Sequence, residues 1–110
     1  SKRWLPQPTI YSSLRTQSPE VYASLKAIAK THKGSAAENQ RERLLAALRK
    51  HGSITTIDAR RFLDILNPHA RIWELRNRFG EQIETVWVYQ ETEKGKPHRV
   101  GKYVLMVKAK

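Results

Sequence analysis

No cysteine occurs among the 110 residues, which excludes disulfide staples, thiolate nucleophiles and cysteine-based zinc sites and agrees with a reducing compartment. Long apolar runs are missing too. Nothing approaches the roughly 20 residues that a membrane-spanning helix needs, and the stretch from Ser1 to Ile10 lacks the apolar centre of a signal peptide. Catalytic patterns are equally scarce. His32, His51, His69 and His98 are scattered without metal-ligand spacing, and the chain holds no Ser-His-Asp set, carboxylate pair or glycine-rich phosphate loop. Asp58 and Asp64 have the simpler roles of capping and solubility. These absences argue against an enzyme and call for no metal or other cofactor.

Negative charge is also in short supply, with ten Asp and Glu against 21 Lys and Arg, for a net charge of +11. Basic and acidic residues number six against two in residues 1–38, nine against four in 39–80 and six against four in 81–110. An excess spread in this way suits a folded surface that follows a polyanion, unlike a single basic tail. The length allows one compact core. Nucleic acid is therefore the expected partner, and a membrane is not.

Along the chain, residues 1–17 form an arm with Pro6, Pro8 and apolar residues at no clean period, read as irregular. Ser18-Pro19-Glu20 then supplies an N-cap, a first-turn proline and a first-turn acid, so a helix is expected from Pro19 to about Thr31 with Val21, Leu25 and Ile28 on its apolar face. Lys33 to Ala37 reads as a helix end and linker. The boundary falls there, giving an N-terminal arm and amphipathic helix over 1–38 and a main domain over 39–110.

That domain opens with an expected helix from Asn39 to His51, in which Leu44, Leu45 and Leu48 make one stripe while Arg41, Arg43, Arg49 and Lys50 lie outside it, and Gly52 ends it. Ser53-Ile54-Thr55 is long enough only for a short strand or turn. Thr55 or Thr56 can cap a second helix with Ala59, Phe62 and Leu63 facing inward, and Asn67-Pro68 starts a third. On a helical wheel the third helix, running to about Phe79, turns Ile72, Leu75 and Phe79 inward and Ala70, Trp73, Glu74 and Asn77 outward. Two strands follow. Residues 83–90 alternate, with Ile83, Thr85, Trp87 and Tyr89 on one face, and Arg99 to Lys108 is rich in β-branched and aromatic residues; the two can pair across Gly95.

Three short helices followed by a hairpin with a basic tip make an α+β layout in which one helix can enter a DNA groove while the hairpin grips the backbone. The expected base-reading residues are His69, Arg71, Trp73, Arg76 and Asn77, since Arg can read guanine and Asn adenine in the major groove. Arg71 has a competing role as an ion-pair partner of Glu74. An outward tryptophan such as Trp73 more often marks a dimer contact or a covered patch than a base contact. Lys94, Lys96, His98 and Arg99 at the hairpin tip, and Arg41, Arg43, Thr56, Arg60 and Arg61 on the preceding helices, are the candidates for phosphate contact. The strands offer no aromatic platform separable from core, which places RNA behind DNA.

From Gln40 to about Leu105 the chain resembles a winged helix-turn-helix DNA-binding family of bacteria, phages and other mobile elements. The resemblance is carried by Arg41-Glu42-Arg43-Leu44-Leu45, by residues 52–60 from Gly52-Ser53-Ile54 to Asp58-Ala59-Arg60, by Ala70-Arg71-Ile72-Trp73-Glu74-Leu75-Arg76, and by residues 98–105 from His98-Arg99-Val100 to Tyr103-Val104-Leu105. It implies a three-helix core with a C-terminal β-hairpin wing, preceded here by a helical extension. The implied function is a sequence-specific regulator of transcription, placed in the bacterial cytoplasm at the nucleoid. Because one such module buries only about 600–1,000 Å² on DNA, a homodimer is expected, with the helix from Pro19 and the arm before it as the contact. The same N-terminal segment is a candidate for a protein partner. An architectural factor in excision, replication or partition, and a protein-interaction module using the outer face of the third helix, are the alternatives.

Overall fold

The computed structural model describes residues 4–6, 19–91 and 95–108. In chain order the elements are β1 (Trp4–Pro6), α1 (Pro19–Thr31), α2 (Ala37–His51), β2 (Ser53–Thr55), α3 (Thr56–Phe62), α4 (Pro68–Asn77), β3 (Ile83–Glu91) and β4 (Pro97–Lys108). The result is an α+β fold, a helical core closed on one side by a β-hairpin.

Local chemistry sets most of the element ends. Gly52 ends α2 in the left-handed region at φ 85°, and its N–H donates to the Leu48 carbonyl at 2.8 Å. Thr55 is extended, and its hydroxyl accepts the Asp58 N–H at 3.2 Å, which starts α3. The Asn67 side chain accepts the Ala70 N–H at 3.2 Å and Pro68 follows in the first turn, which starts α4. α3 and α4 are thereby separated by only five residues, close enough to be held as a unit.

Leu44 and Leu48 of α2, Ile54 of β2, Leu63, and Ile72 of α4 are fully buried in one core, which Tyr103 and Leu105 of β4 close from the sheet side. β4 is the central strand. It pairs antiparallel with β3 from Ile83↔Leu105 to Glu91↔Pro97, with β2 from Ser53↔Val104 to Thr55↔Lys102, and with β1 from Trp4↔Lys108 to Pro6↔Met106.

Several expectations are corrected by this packing. Part of the arm is not irregular, because Trp4–Pro6 forms a strand on β4. The apolar face of α1 is used within its own chain: Val21 and Leu25 belong to the core, and the Tyr22 ring stacks on Phe62 with centroids 4.3 Å apart. α4 stops at Asn77, two residues short of the expected end, so Phe79 leaves the helical register and is 57% exposed instead of facing the core. Arg43, expected on the outer side of α2, is 3% exposed.

His51, the last residue of α2, is buried with its Nε2 2.9 Å from the Ser24 hydroxyl, and burial followed by the neighbouring Lys50 charge pushes its pKa below the usual 6.5. Unfolding therefore takes up a proton below about pH 6.5, so His51 lowers stability progressively as pH falls through that value and has no effect above it. Urea midpoints measured at pH 7.5 and 5.5 are expected to drop further for the wild type than for His51→Gln.

Candidate nucleic-acid interface

Between the helices and the hairpin lies an open groove of about 690 Å³. Thr56, Ile57 and Arg60 of α3 and His69 at the start of α4 form one wall, and Thr85, Trp87, Arg99 and Gly101 of the hairpin form the other. Two contacts hold the walls together. The Thr56 hydroxyl lies 3.2 Å from the Gly101 carbonyl and 3.3 Å from the Tyr103 hydroxyl. Farther out, Gln90 Nε2 donates to the buried Asp58 carboxylate at 3.0 Å, fastening the hairpin to the first turn of α3. A buried amide–carboxylate bond of this kind fixes direction as well as distance.

The outward side of α4 is a stripe of exposed residues at four-residue spacing: His69, Trp73 and Asn77. Trp73 is 52% exposed, with the Arg78 guanidinium 6.0 Å from its ring centroid, and Asn77 Nδ2 donates back to the Trp73 carbonyl at 2.9 Å. The two arginines expected beside them are otherwise engaged. Arg71 Nε sits 2.8 Å from Glu74, whose carboxylate also accepts from Arg41 at 3.0 Å. Burial pushes the Glu74 carboxyl up, but the Arg41 hydrogen bond and the charges of Arg71, Arg41 and Arg78 outweigh it and hold the group below the ordinary carboxylate range. Arg76 reaches away from the stripe, donating to the Ile83 carbonyl and the Thr85 hydroxyl, both at 2.6 Å, and so ties α4 to β3.

The phosphate candidates divide in the same way. Arg60 and Arg61 are exposed, Arg60 with Nε on the Leu66 carbonyl at 3.2 Å and Arg61 over the Phe62 ring at 5.2 Å. Lys96, His98 and Arg99 are exposed on the hairpin, and Lys94 lies outside the described residues. Arg41 is taken up by Glu74 and by the Phe79 ring 5.0 Å away. Arg43 is corrected outright. Its guanidinium donates to the carbonyls of Leu63, His32, Gly34 and Asp64 at 2.7, 2.8, 2.7 and 3.3 Å, clamping the α1–α2 turn to the end of α3.

A family model for the winged helix-turn-helix domain matches residues 39–108. The chain belongs to that family. No curated protein and no solved structure matches it. In this winged helix-turn-helix fold α2, α3 and α4 are the three core helices, β2 is the short strand between the first two, and the β3–β4 hairpin is the wing. Membership suggests binding to DNA. Among the described residues no helix is long and apolar enough to cross a membrane, and no three His, Asp or Glu side chains are grouped to hold a metal ion.

Sequence reasoning missed two exposed aromatics. Trp87 and Tyr89 share one face of the strand with Ile83 and Thr85, yet they are 62% and 59% exposed, while Gln90 on the opposite face is buried. The signal available was length. At about 3.3 Å per residue, the nine residues of β3 run well past the three of β2, and in that outer half the face carrying Gln90 packs on α3 while the face carrying Trp87 and Tyr89 stays open.

Proposed function

We infer that this winged helix-turn-helix protein binds double-stranded DNA sequence-specifically, as a transcriptional regulator of the phage or mobile-element type. The observation that carries the reading is the exposed stripe His69, Trp73 and Asn77 on α4, which begins at the groove shared by Arg60 and Arg99. A helix laid in the major groove along that stripe presents the imidazole and amide to base edges and the indole to thymine methyls or sugars. Arg60, Arg61, Lys96, His98 and Arg99, with Lys94 by sequence, serve the phosphates on either side. Arg71 is neutralised by Glu74 and braces the helix, and Arg76 holds α4 against the wing. A second copy of the chain on an adjacent half-site supplies the affinity that one module lacks.

Selection from a randomised duplex pool tests this directly. The wild type is expected to return one motif, arranged as a two-fold repeat, and a His69→Ala, Asn77→Ala variant to lose discrimination by about 1–3 kcal/mol for each base-pair contact removed. Arg76→Ala should keep the motif while losing about 1–3 kcal/mol of stability, since it leaves a carbonyl and a hydroxyl unpaired. Salt-sensitive binding with no motif would replace the regulator by an architectural factor. No binding to any duplex would redirect the search to a protein partner on Trp73.

A further inference from the structure

The wing carries more apolar surface than a grip on phosphates requires. Trp87 and Tyr89 stand two residues apart on one face of β3, each more than half exposed, and Arg99 lies opposite Tyr89 with its guanidinium 4.9 Å from the Trp87 ring centroid. Opposite Trp87 itself is Gly101. A Cβ at that glycine would meet the Thr56 hydroxyl at 3.4 Å and the Trp87 ring at 3.9 Å, so the buried glycine lets the indole lie close against the β4 backbone. The far wall supplies Arg60 and His69. The described carboxylate on this face of the strand is Glu91, at its outer end. An aromatic face with a stacked cation and a basic opposite wall is the chemistry that holds an unpaired nucleobase together with its phosphate.

We propose that the Trp87–Tyr89–Arg99 face of the wing stacks unpaired bases of a DNA strand that continues from the bound duplex, so that the protein prefers a junction between double- and single-stranded DNA. The assignment to DNA rests on the duplex reading above, because Arg60 and His69 on the opposite wall adjoin the groove-reading stripe and one strand must serve both. Base-paired DNA does not satisfy this face, since its rings are already stacked on one another. Stacking on an aromatic side chain is tolerant of base identity. The preference is therefore for structure, added to whatever sequence α4 reads.

The test compares a blunt duplex, the same duplex with a ten-nucleotide single-stranded extension, the same with an RNA extension, and the free single strand, all by fluorescence anisotropy at one salt concentration. The wild type is expected to favour the DNA-extended duplex over the blunt one by about 5- to 100-fold, the range of one stacked base. Trp87→Ala should bring that ratio to within twofold of one, and Trp87→Phe, which keeps an aromatic face, should retain most of it. Equal wild-type affinity for blunt and extended duplexes overturns the proposal and leaves the duplex reading standing. Equal loss on both DNAs with Trp87→Ala assigns the indole to the duplex and overturns it as well, and tighter binding of the RNA extension overturns the assignment to DNA. Binding of the free single strand with no binding of the blunt duplex would instead remove the duplex reading while the stacking face survives.

Discussion

Replacing Arg43 by alanine is expected to lower the stability of the fold by about 3–5 kcal/mol, out of the roughly 5–15 kcal/mol that domains of this size possess. The guanidinium is the shared donor for four carbonyls drawn from the α1–α2 turn and from the residues after α3. Removing it leaves acceptors unpaired, each at a cost of about 1–3 kcal/mol where water does not reach, and takes away the packing of the side-chain stem. Arg43→Lys keeps the charge but not the planar fork, so it should restore less than half of the loss. The measurement is the urea midpoint at constant slope. Duplex affinity of the folded fraction should stay at the wild-type value. A normal midpoint with a salt dependence reduced by one phosphate contact would return Arg43 to the DNA backbone.

Salt dependence provides the second large effect. Binding to a duplex through phosphates releases counterions, and the slope of log affinity against log salt is about −0.9 per contact. Arg60, Lys96 and Arg99 are exposed on the helices and the wing, so the triple alanine variant is expected to flatten that slope by about 3 and to lose most of its affinity at 50 mM salt. Lys26→Ala, which removes an exposed cation from α1, should leave the slope unchanged. Equal slopes for the triple variant and the wild type would place the duplex on another face of the molecule.

Arg43 and Arg60 belong to a set of arginines that look alike in the sequence. Arg41, Arg43, Arg60 and Arg61 all precede α4, and all are candidates for phosphate contact on the sequence alone. Their roles diverge because an arginine's partners come from elsewhere in the chain. Arg43 finds carbonyls 9 to 21 residues away, and Arg41 finds Glu74, 33 residues away, whereas Arg60 donates to the nearby Leu66 carbonyl six residues on. The same reasoning separates Arg76, which bonds to β3, from Asn77, which bonds within its own helix turn.

By itself the sequence determined the α+β class, the order of helices and strands, the Gly52, Thr55 and Asn67-Pro68 punctuation, the inward stripe of Leu44, Leu48, Ile72 and Leu75, and a basic surface suited to a polyanion. Each of these rests on interactions within a few residues or on sums over the whole chain, and both can be read along a line. Tertiary structure alone decided that α1 packs into the shared core, that Trp4–Pro6 joins β4, that Arg43 is an internal clamp, and that the outer half of β3 turns Gln90 onto α3 and leaves Trp87 and Tyr89 exposed. Those outcomes depend on which segments meet across long sequence separations, and on which face of a strand the neighbouring helix covers.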